Sequence, residues 1–124
     1  MKLENEKCQN AVICALSGLV KAIKTEQNLK IDILVAVVII VCGFVFKINN
    51  YEWIACIFSI GIMLFAELMN TAIETVVDMY TREKNEMAKR AKDISASAVL
   101  VLALNIAIVG GIIFIPKVFS LLIK

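Results

Sequence analysis

The sequence predicts an all-α integral membrane protein with three transmembrane helices and, before them, an amphipathic helix on the membrane surface. Hydrophobic residues make up 60% of the 124-residue chain, above the roughly 45–50% of soluble domains. A chain this short cannot bury so much apolar surface in a water-soluble core. Three apolar runs are each about long enough to cross a bilayer, which takes roughly 20 helical residues. We therefore expect one membrane domain spanning residues 1–124.

The surface helix is expected at about residues 9–27. At about 100° per residue, its apolar side is formed by five residues: Val12, Ala15, Leu16, Leu19 and Ile23. Lys21 and Lys24 lie on the opposite side, as in helices that rest at the level of the lipid headgroups. Glu26 breaks the pattern, because it would project from the apolar face if the helix continued through it.

The three membrane spans are expected at about residues 29–47, 52–78 and 94–115. Lys30 and Lys47 flank the first apolar run and can extend their charged ends to the membrane surface. Tyr51 and Trp53 mark the interface at the start of the second span. We expect Pro116 to end the third helix, because proline removes a backbone donor and clashes with the preceding turn.

The distribution of Lys and Arg predicts the orientation of the chain. Five lie in residues 1–30 and five in residues 79–93, whereas the turn between the first two spans has only Lys47 and the tail only Lys117 and Lys124. Positive charge is retained on the cytoplasmic side. We therefore place the N-terminus and the 79–93 loop in the cytoplasm, and the protein in the cell membrane.

Four polar residues interrupt the second apolar run. Glu67, Asn70, Glu74 and Asp78 share one stripe of the helix, about a quarter-turn wide at 3.6 residues per turn. A carboxylate that faced lipid at the depth of Glu67 would cost on the order of 2.5 kcal/mol or more. We therefore expect the stripe to face protein or water, with neighbouring chains helping to enclose it.

Acids at this depth are suited to phosphoryl transfer. Two carboxylates near the inner surface can hold Mg²⁺ through oxygen, and the five cations of the 79–93 loop can neutralise a polyphosphate. A carboxylate just below the headgroups can reach the hydroxyl of a membrane lipid. The pattern indicates transfer of a phosphoryl group from a nucleotide to a lipid alcohol, a reaction catalysed mainly by positioning and charge neutralisation.

Each of these features also fits a role without catalysis. Glu74 and Asp78 could form an interfacial helix end that pairs with Lys or Arg, Asn70 could bond a neighbouring helix, and the basic loop could serve only as a topology signal. As a whole-protein alternative, a small proton-coupled membrane transporter can also place an essential Glu in a short apolar chain. A purely structural subunit would leave Glu67 unexplained.

Composition excludes several other classes of protein. The chain has no His, the commonest acid–base group and metal ligand, and its four Cys form no CxxC pair, so we expect reduced thiols. The net charge is +2 and no nucleic-acid-binding motif occurs, so no nucleic-acid partner is expected. Neither GxxxxGK[ST] nor GxGxxG is present, so any nucleotide site is not built on a soluble nucleotide-binding fold.

The segments "AELMNTAIETVVD" and "AKRAKDISASAVL" together resemble the small integral-membrane prokaryotic diacylglycerol kinase family. "KAIKTEQNLKID" is more similar to its Gram-positive branch, whose members act mainly as undecaprenol kinases. The resemblance extends from about residue 10 to 116. It implies a homotrimer with active sites shared between neighbouring chains, and an ATP- and Mg²⁺-dependent lipid kinase that acts on undecaprenol or diacylglycerol.

The resemblance also implies roles for individual residues. Glu67 matches the catalytic base that accepts the proton of the lipid hydroxyl, and Asn70 the polar residue beside it. Glu26 and Glu74 match the acids that hold the metal with ATP. The nucleotide contacts match Glu83, Lys84, Asn85, Lys92 and Asp93. The family often has an aromatic–His pair at Lys84–Asn85, and a His is common in the Gram-positive branch at Asp32.

Overall fold

The computed structural model describes residues 10–124, which form four α-helices. These are α1 (Ala11–Thr25), α2 (Gln27–Val45), α3 (Asn50–Tyr80) and α4 (Glu86–Leu122). Residues 10–124 contain no strand, and α2, α3 and α4 are each long and apolar enough to cross a membrane. The predicted all-α class with three candidate membrane spans is therefore confirmed. The predicted charges Lys2 and Lys7 lie outside the described residues.

The junction of α1 and α2 is a single extended residue. α1 begins after Asn10, whose side chain accepts a hydrogen bond from the N–H of Val12 at 2.9 Å, and it ends at Thr25. Glu26 has φ −96° and ψ 114° and starts the change of direction into α2. Glu26 therefore does not continue the apolar face of α1, and its side chain is positioned by this bend in the chain.

The turn between α2 and α3 is held by a capping box. The side chain of Asn49 accepts a hydrogen bond from the N–H of Glu52, and the Glu52 carboxylate accepts one from the N–H of Asn49, both at 2.9 Å. Trp53 lies so close to α2 that a Cβ added at Gly43 would be 2.6 Å from its ring. Gly43 is therefore required by the close approach of these two helices.

A small apolar core lies beside this turn. Ile48, Cys56 and Ile113 are buried and form its centre. Phe46 and Phe114 pack at its edge with ring centroids 6.1 Å apart in a T-shaped arrangement. This core joins the α2–α3 turn to the second half of α4.

Helices α3 and α4 form an antiparallel hairpin with an ion pair near each end. Lys117 contacts Glu52 at 2.7 Å, and Lys92 contacts Asp78. Glu52 and Asp78 are about 39 Å apart along α3 at 1.5 Å per residue, which exceeds the roughly 30 Å of a hydrocarbon core. The two ion pairs therefore bracket the part of the hairpin that crosses the membrane.

The prediction that Pro116 ends the third helix is wrong, because α4 continues to Leu122 with Pro116 inside it. Proline is tolerated in membrane helices where neighbouring groups hold the chain. Here Lys117, the next residue, is tied to α3 by its ion pair with Glu52. The hydroxyl of Ser120 donates to the Lys117 carbonyl at 2.8 Å and supports the following turn.

Most large apolar side chains of the membrane helices are exposed in the single chain. Examples from α2, α3 and α4 are Phe44, Phe58 and Ile112, each with more than 70% of its surface exposed. Such surface requires lipid or further protein around it.

Among the cysteines, Cys42 and Cys56 are free as expected, whereas Cys14 is disulfide-bonded, so the expectation of reduced thiols is wrong at that position.

Candidate active site

The polar residues of α3 form one continuous row. Glu67 is buried with 3% of its surface exposed and Asn70 with 7%, and Glu74 and Asp78 are half-buried. The side-chain Nδ2 of Asn70 donates to Oε1 of Glu74 at 3.5 Å. The burial of Glu67 shows that this acid faces the interior of the chain and not the surrounding lipid.

Residues from the start of α2 and from the α1–α2 junction complete the surroundings of Glu67. Asn28 lies beside the Glu67 carboxyl group, and Asp32, Glu74 and Glu26 lie close enough to act on its charge. The extended backbone at Glu26 allows its side chain to approach α3 from the end of α1. Two acids separated by more than forty residues in sequence, Glu26 and Glu67, are thus near enough in the fold to interact electrostatically.

We refer to Glu26, Asp32, Glu67 and Glu74 as the acid cluster. Among the described residues, no Lys or Arg is one of the groups that act on Glu67, and no acid of the cluster forms an ion pair there. Like charges near one another repel, so a cation supplied from outside the chain would lower the electrostatic energy of the cluster.

The oxygen atoms of this region fit Mg²⁺. Oδ2 of Asp32 and Oδ1 of Asn70 are buried without a hydrogen-bond partner, and carboxylate and amide oxygens are the ligands that hard cations prefer. Within residues 10–124, no three Asp, Glu, Cys or His side chains form a complete metal site. A metal bound here would therefore need further ligands, such as waters or phosphate oxygens.

The loop between α3 and α4 forms a polar groove of about 730 Å³. Its walls include all five residues for which the family resemblance implies nucleotide contacts: Glu83, Lys84, Asn85, Lys92 and Asp93. Asp78, the last residue of the row on α3, also lines the groove. The structure therefore brings these five residues together at the Asp78 end of that row.

Three of these loop side chains already have partners within the chain. Oδ1 of Asn85 caps the first turn of α4, Lys92 is paired with Asp78, and Asp93 with Lys89. The two ion pairs are partly exposed, and pairs of that kind contribute little stability. Lys92 and Asp93 can therefore leave these partners at little cost, whereas the capping role of Asn85 occupies its oxygen.

Asn28 and Asp32 were not predicted from the sequence as residues of the site. Asp32 is an acid within an otherwise apolar run, and that feature alone marks it as unusual in a membrane helix. Asn28 is an ordinary polar residue near a helix start, so its contact with Glu67 depends on how α2 packs on α3. Ser95 on α4 is also buried. The ion pairs Lys92–Asp78 and Lys117–Glu52 align α4 with α3, and in this alignment Ser95 lies at the level of Glu74.

Comparison with known proteins identifies relatives over most of the chain. A family model described as prokaryotic diacylglycerol kinase matches residues 13–114. An undecaprenol kinase of Bacillus subtilis (strain 168) is 39% identical over 100 residues, which cover 81% of each chain. A diacylglycerol kinase of Haemophilus influenzae is 34% identical, covering 85% of this chain and 90% of the relative. A diacylglycerol kinase of Synechocystis is 32% identical, covering 88% and 63%.

Proposed function

The chain belongs to the prokaryotic diacylglycerol kinase family and is a lipid kinase, and we propose that it transfers the γ-phosphoryl group of ATP to the hydroxyl of undecaprenol or diacylglycerol. The observation that carries this proposal is the acid cluster. Glu67 is buried at the end of an apolar helical segment, among three further acids with no cation of the described chain beside it. Such a site suits a metal–nucleotide complex on one side and a membrane alcohol on the other.

Glu67 acts as the general base in this proposal. Its carboxylate accepts the proton of the lipid hydroxyl while the hydroxyl oxygen forms a bond to the γ-phosphorus and the bond to the β-phosphate oxygen breaks, which releases ADP. Asn70 holds a neighbouring acid, because its side-chain nitrogen donates to Glu74, and Asn28 lies beside Glu67. Positioning of this kind supplies most of the catalysis in phosphoryl transfer.

Glu26 and Glu74 are the proposed ligands of Mg²⁺, which neutralises charge on the phosphates when it is bound. Both residues are half-buried and act on the charge of Glu67. The nucleotide would lie in the loop groove next to Asp78, within reach of Lys84, Lys92 and Asp93. Glu83 and Asn85 complete the proposed contacts, with only the amide nitrogen of Asn85 free of its capping role.

Several broader features belong to the same proposal. The working unit is a homotrimer in which neighbouring chains enclose exposed apolar surface and share active sites. The N-terminus and the 79–93 loop face the cytoplasm, where ATP is available, and α1 lies on the membrane surface. α1 supports that placement, because Val12 and Leu16 are more than half exposed on its apolar side. The comparisons give no support to the alternative of a proton-coupled transporter.

Purified protein in detergent, supplied with ATP labelled in the γ-phosphate, tests the proposed reaction. We expect label to appear in the phosphorylated lipid when undecaprenol or diacylglycerol is added, and to require Mg²⁺. A preparation that is folded and helical but labels neither alcohol would contradict the proposal. Proton-driven movement of a solute in vesicles, without phosphorylation, would support the transporter alternative.

A further inference from the structure

Ser95 is a buried polar residue that the proposed function does not use. It has 7% of its surface exposed. α4 is described in full, and between Lys92 and Lys117 its only buried polar residue is Ser95. Of the described helices, only α3 packs against α4. Ser95 is therefore buried on the side of α4 that contacts α3.

The hydroxyl of Ser95 is not hydrogen-bonded to any of the described residues. Hydroxyls in membrane helices commonly donate to a carbonyl of the preceding turn of their own helix. Thr75, Ser97 and Ser120 all do so in this chain. Ser95 lacks even this bond, so its donor remains available to a group on α3.

The packing of α4 on α3 places Ser95 opposite Glu74. Cys56 of α3 and Ile113 of α4 pack together in the small apolar core. Glu74 follows Cys56 by eighteen residues, and Ser95 precedes Ile113 by eighteen. Eighteen residues make five full turns at 3.6 residues per turn. Because the two helices are antiparallel, Glu74 and Ser95 face each other as Cys56 and Ile113 do.

The carboxylate of Glu74 has room for a second hydrogen bond. Its Oε1 accepts from Nδ2 of Asn70 at 3.5 Å, whereas its Oε2 has no partner among the described residues. Lys92, one turn from Ser95, is paired with Asp78. This ion pair keeps α4 against α3 at this end of the hairpin, and it leaves Ser95 as the unpaired donor of α4 at the level of Glu74.

We propose that Ser95 is a positioning residue of the metal site, whose hydroxyl donates to the Glu74 carboxylate and fixes the direction in which that carboxylate meets Mg²⁺. This inference rests on the proposed metal role of Glu74. Carboxylates that bind a metal are themselves hydrogen-bonded, and loss of such a partner weakens metal binding. A serine suits this position, because its hydroxyl supplies a donor without adding a positive charge that would repel the metal.

Direct binding of Mn²⁺ to the purified protein in detergent, without nucleotide, tests the inference. Mn²⁺ prefers the same oxygen ligands as Mg²⁺, and electron paramagnetic resonance measures its free concentration. Ser95→Ala should raise the dissociation constant for Mn²⁺ about tenfold. Ser97→Ala is the matched control, because Ser97 is exposed on the same helix and its hydroxyl donates to the Ile94 carbonyl. It should leave Mn²⁺ binding unchanged.

Thermal unfolding without metal separates this role from a role in packing. A hydroxyl that held α4 to α3 would lower the unfolding temperature when removed, whereas removal of an unpaired buried hydroxyl leaves that temperature unchanged or raises it. We expect the second result for Ser95→Ala.

Unchanged Mn²⁺ binding by the Ser95→Ala protein, or a lower unfolding temperature without metal, would overturn the inference and leave the lipid kinase reaction standing. Wild-type protein that binds no Mn²⁺ would remove the metal role of Glu74, and the inference with it. Failure of the wild-type protein to phosphorylate either alcohol would instead overturn the proposed function itself, and with it the inference.

Discussion

At the scale of single residues, Glu67 combines two properties that rarely occur together. It is almost fully buried, and it lies beside three other acids without a cation from the described part of its own chain. An acid is costly in such a position, so its presence there points to chemistry and not to stability. Asn70 helps to hold this row of acids in place, because its side-chain nitrogen donates to Glu74.

Glu67→Gln should lower turnover by about 10²–10⁴-fold, because the amide cannot accept the proton of the lipid hydroxyl. Gln has nearly the same shape as Glu, so the helical content and the oligomer should be unchanged. Initial rates with labelled ATP, alongside circular dichroism and gel filtration, measure both properties. Full activity in this variant would contradict the assignment of Glu67 as the base.

Glu74→Gln should raise the Mg²⁺ concentration needed for half-maximal activity, because it removes one carboxylate ligand. Glu52→Gln is the control, since it removes a carboxylate from the opposite end of the same helix, next to Lys117 and far from the cluster. A Mg²⁺ titration of activity measures both variants. An unchanged midpoint for Glu74→Gln, or an equal shift for Glu52→Gln, would contradict the metal role.

At the scale of elements, the positions of α2 and α3 depend on one glycine. Gly43 faces the Trp53 ring and the side chain of Ile48, and there is no room for a further carbon atom between them. The capping box at Asn49 and Glu52 fixes the direction in which α3 leaves the turn. Because the acid cluster lies at the other end of these same helices, a shift at the turn changes the spacing of Asp32 and Glu67.

Gly43→Ala should destabilise the protein by about 1–3 kcal/mol, the usual cost of overpacking. Gly61→Ala is the matched control, because a Cβ at Gly61 meets nothing within 4 Å, and the change from Gly to Ala in a helix is favourable by itself. Thermal unfolding in detergent measures both variants. A Gly43→Ala protein as stable as the wild type would show that Trp53 moves aside without cost.

The sequence predicted the α3 side of the site better than the α2 side. Glu67, Asn70 and Glu74 follow a local helical period, which sequence alone reveals. The place of Asp32 in the site depends on how α2 packs against α3, and no local pattern encodes that contact. The end of α4 was predicted wrongly at Pro116 because the rule for proline is local, whereas the ion pair of Lys117 with Glu52 is a tertiary contact.

At the scale of the whole molecule, one chain brings four acids near one another but buries little apolar surface. Only five apolar residues of the described chain are buried, so lipid or other chains must cover the remainder. The small buried core also explains why part of the structure could not be predicted from the sequence. Composition predicts a membrane protein, and the family resemblance implies a trimer, but the contacts between chains depend on surfaces that a single chain leaves open.

The purified protein in mild detergent should have a protein mass three times that of the 13.7 kDa chain. The reason is that exposed side chains such as Phe44 and Phe58 gain packing when chains associate. Light scattering combined with gel filtration, corrected for bound detergent, measures this mass. An active species with the mass of one chain would contradict the homotrimer and the sharing of sites.

The pairing of Lys117 with Glu52 has a consequence for biogenesis. In the proposed orientation, Lys117 must be carried across the bilayer after α2 and α3 have been synthesised, against the general bias that keeps cations inside. Glu52 has already crossed by then, and its carboxylate is held in place by the capping box. The negative charge of Glu52 is therefore already present on the outer side when Lys117 of α4 arrives, and the two can form their ion pair at once. This favours insertion of the helices in the order of their synthesis.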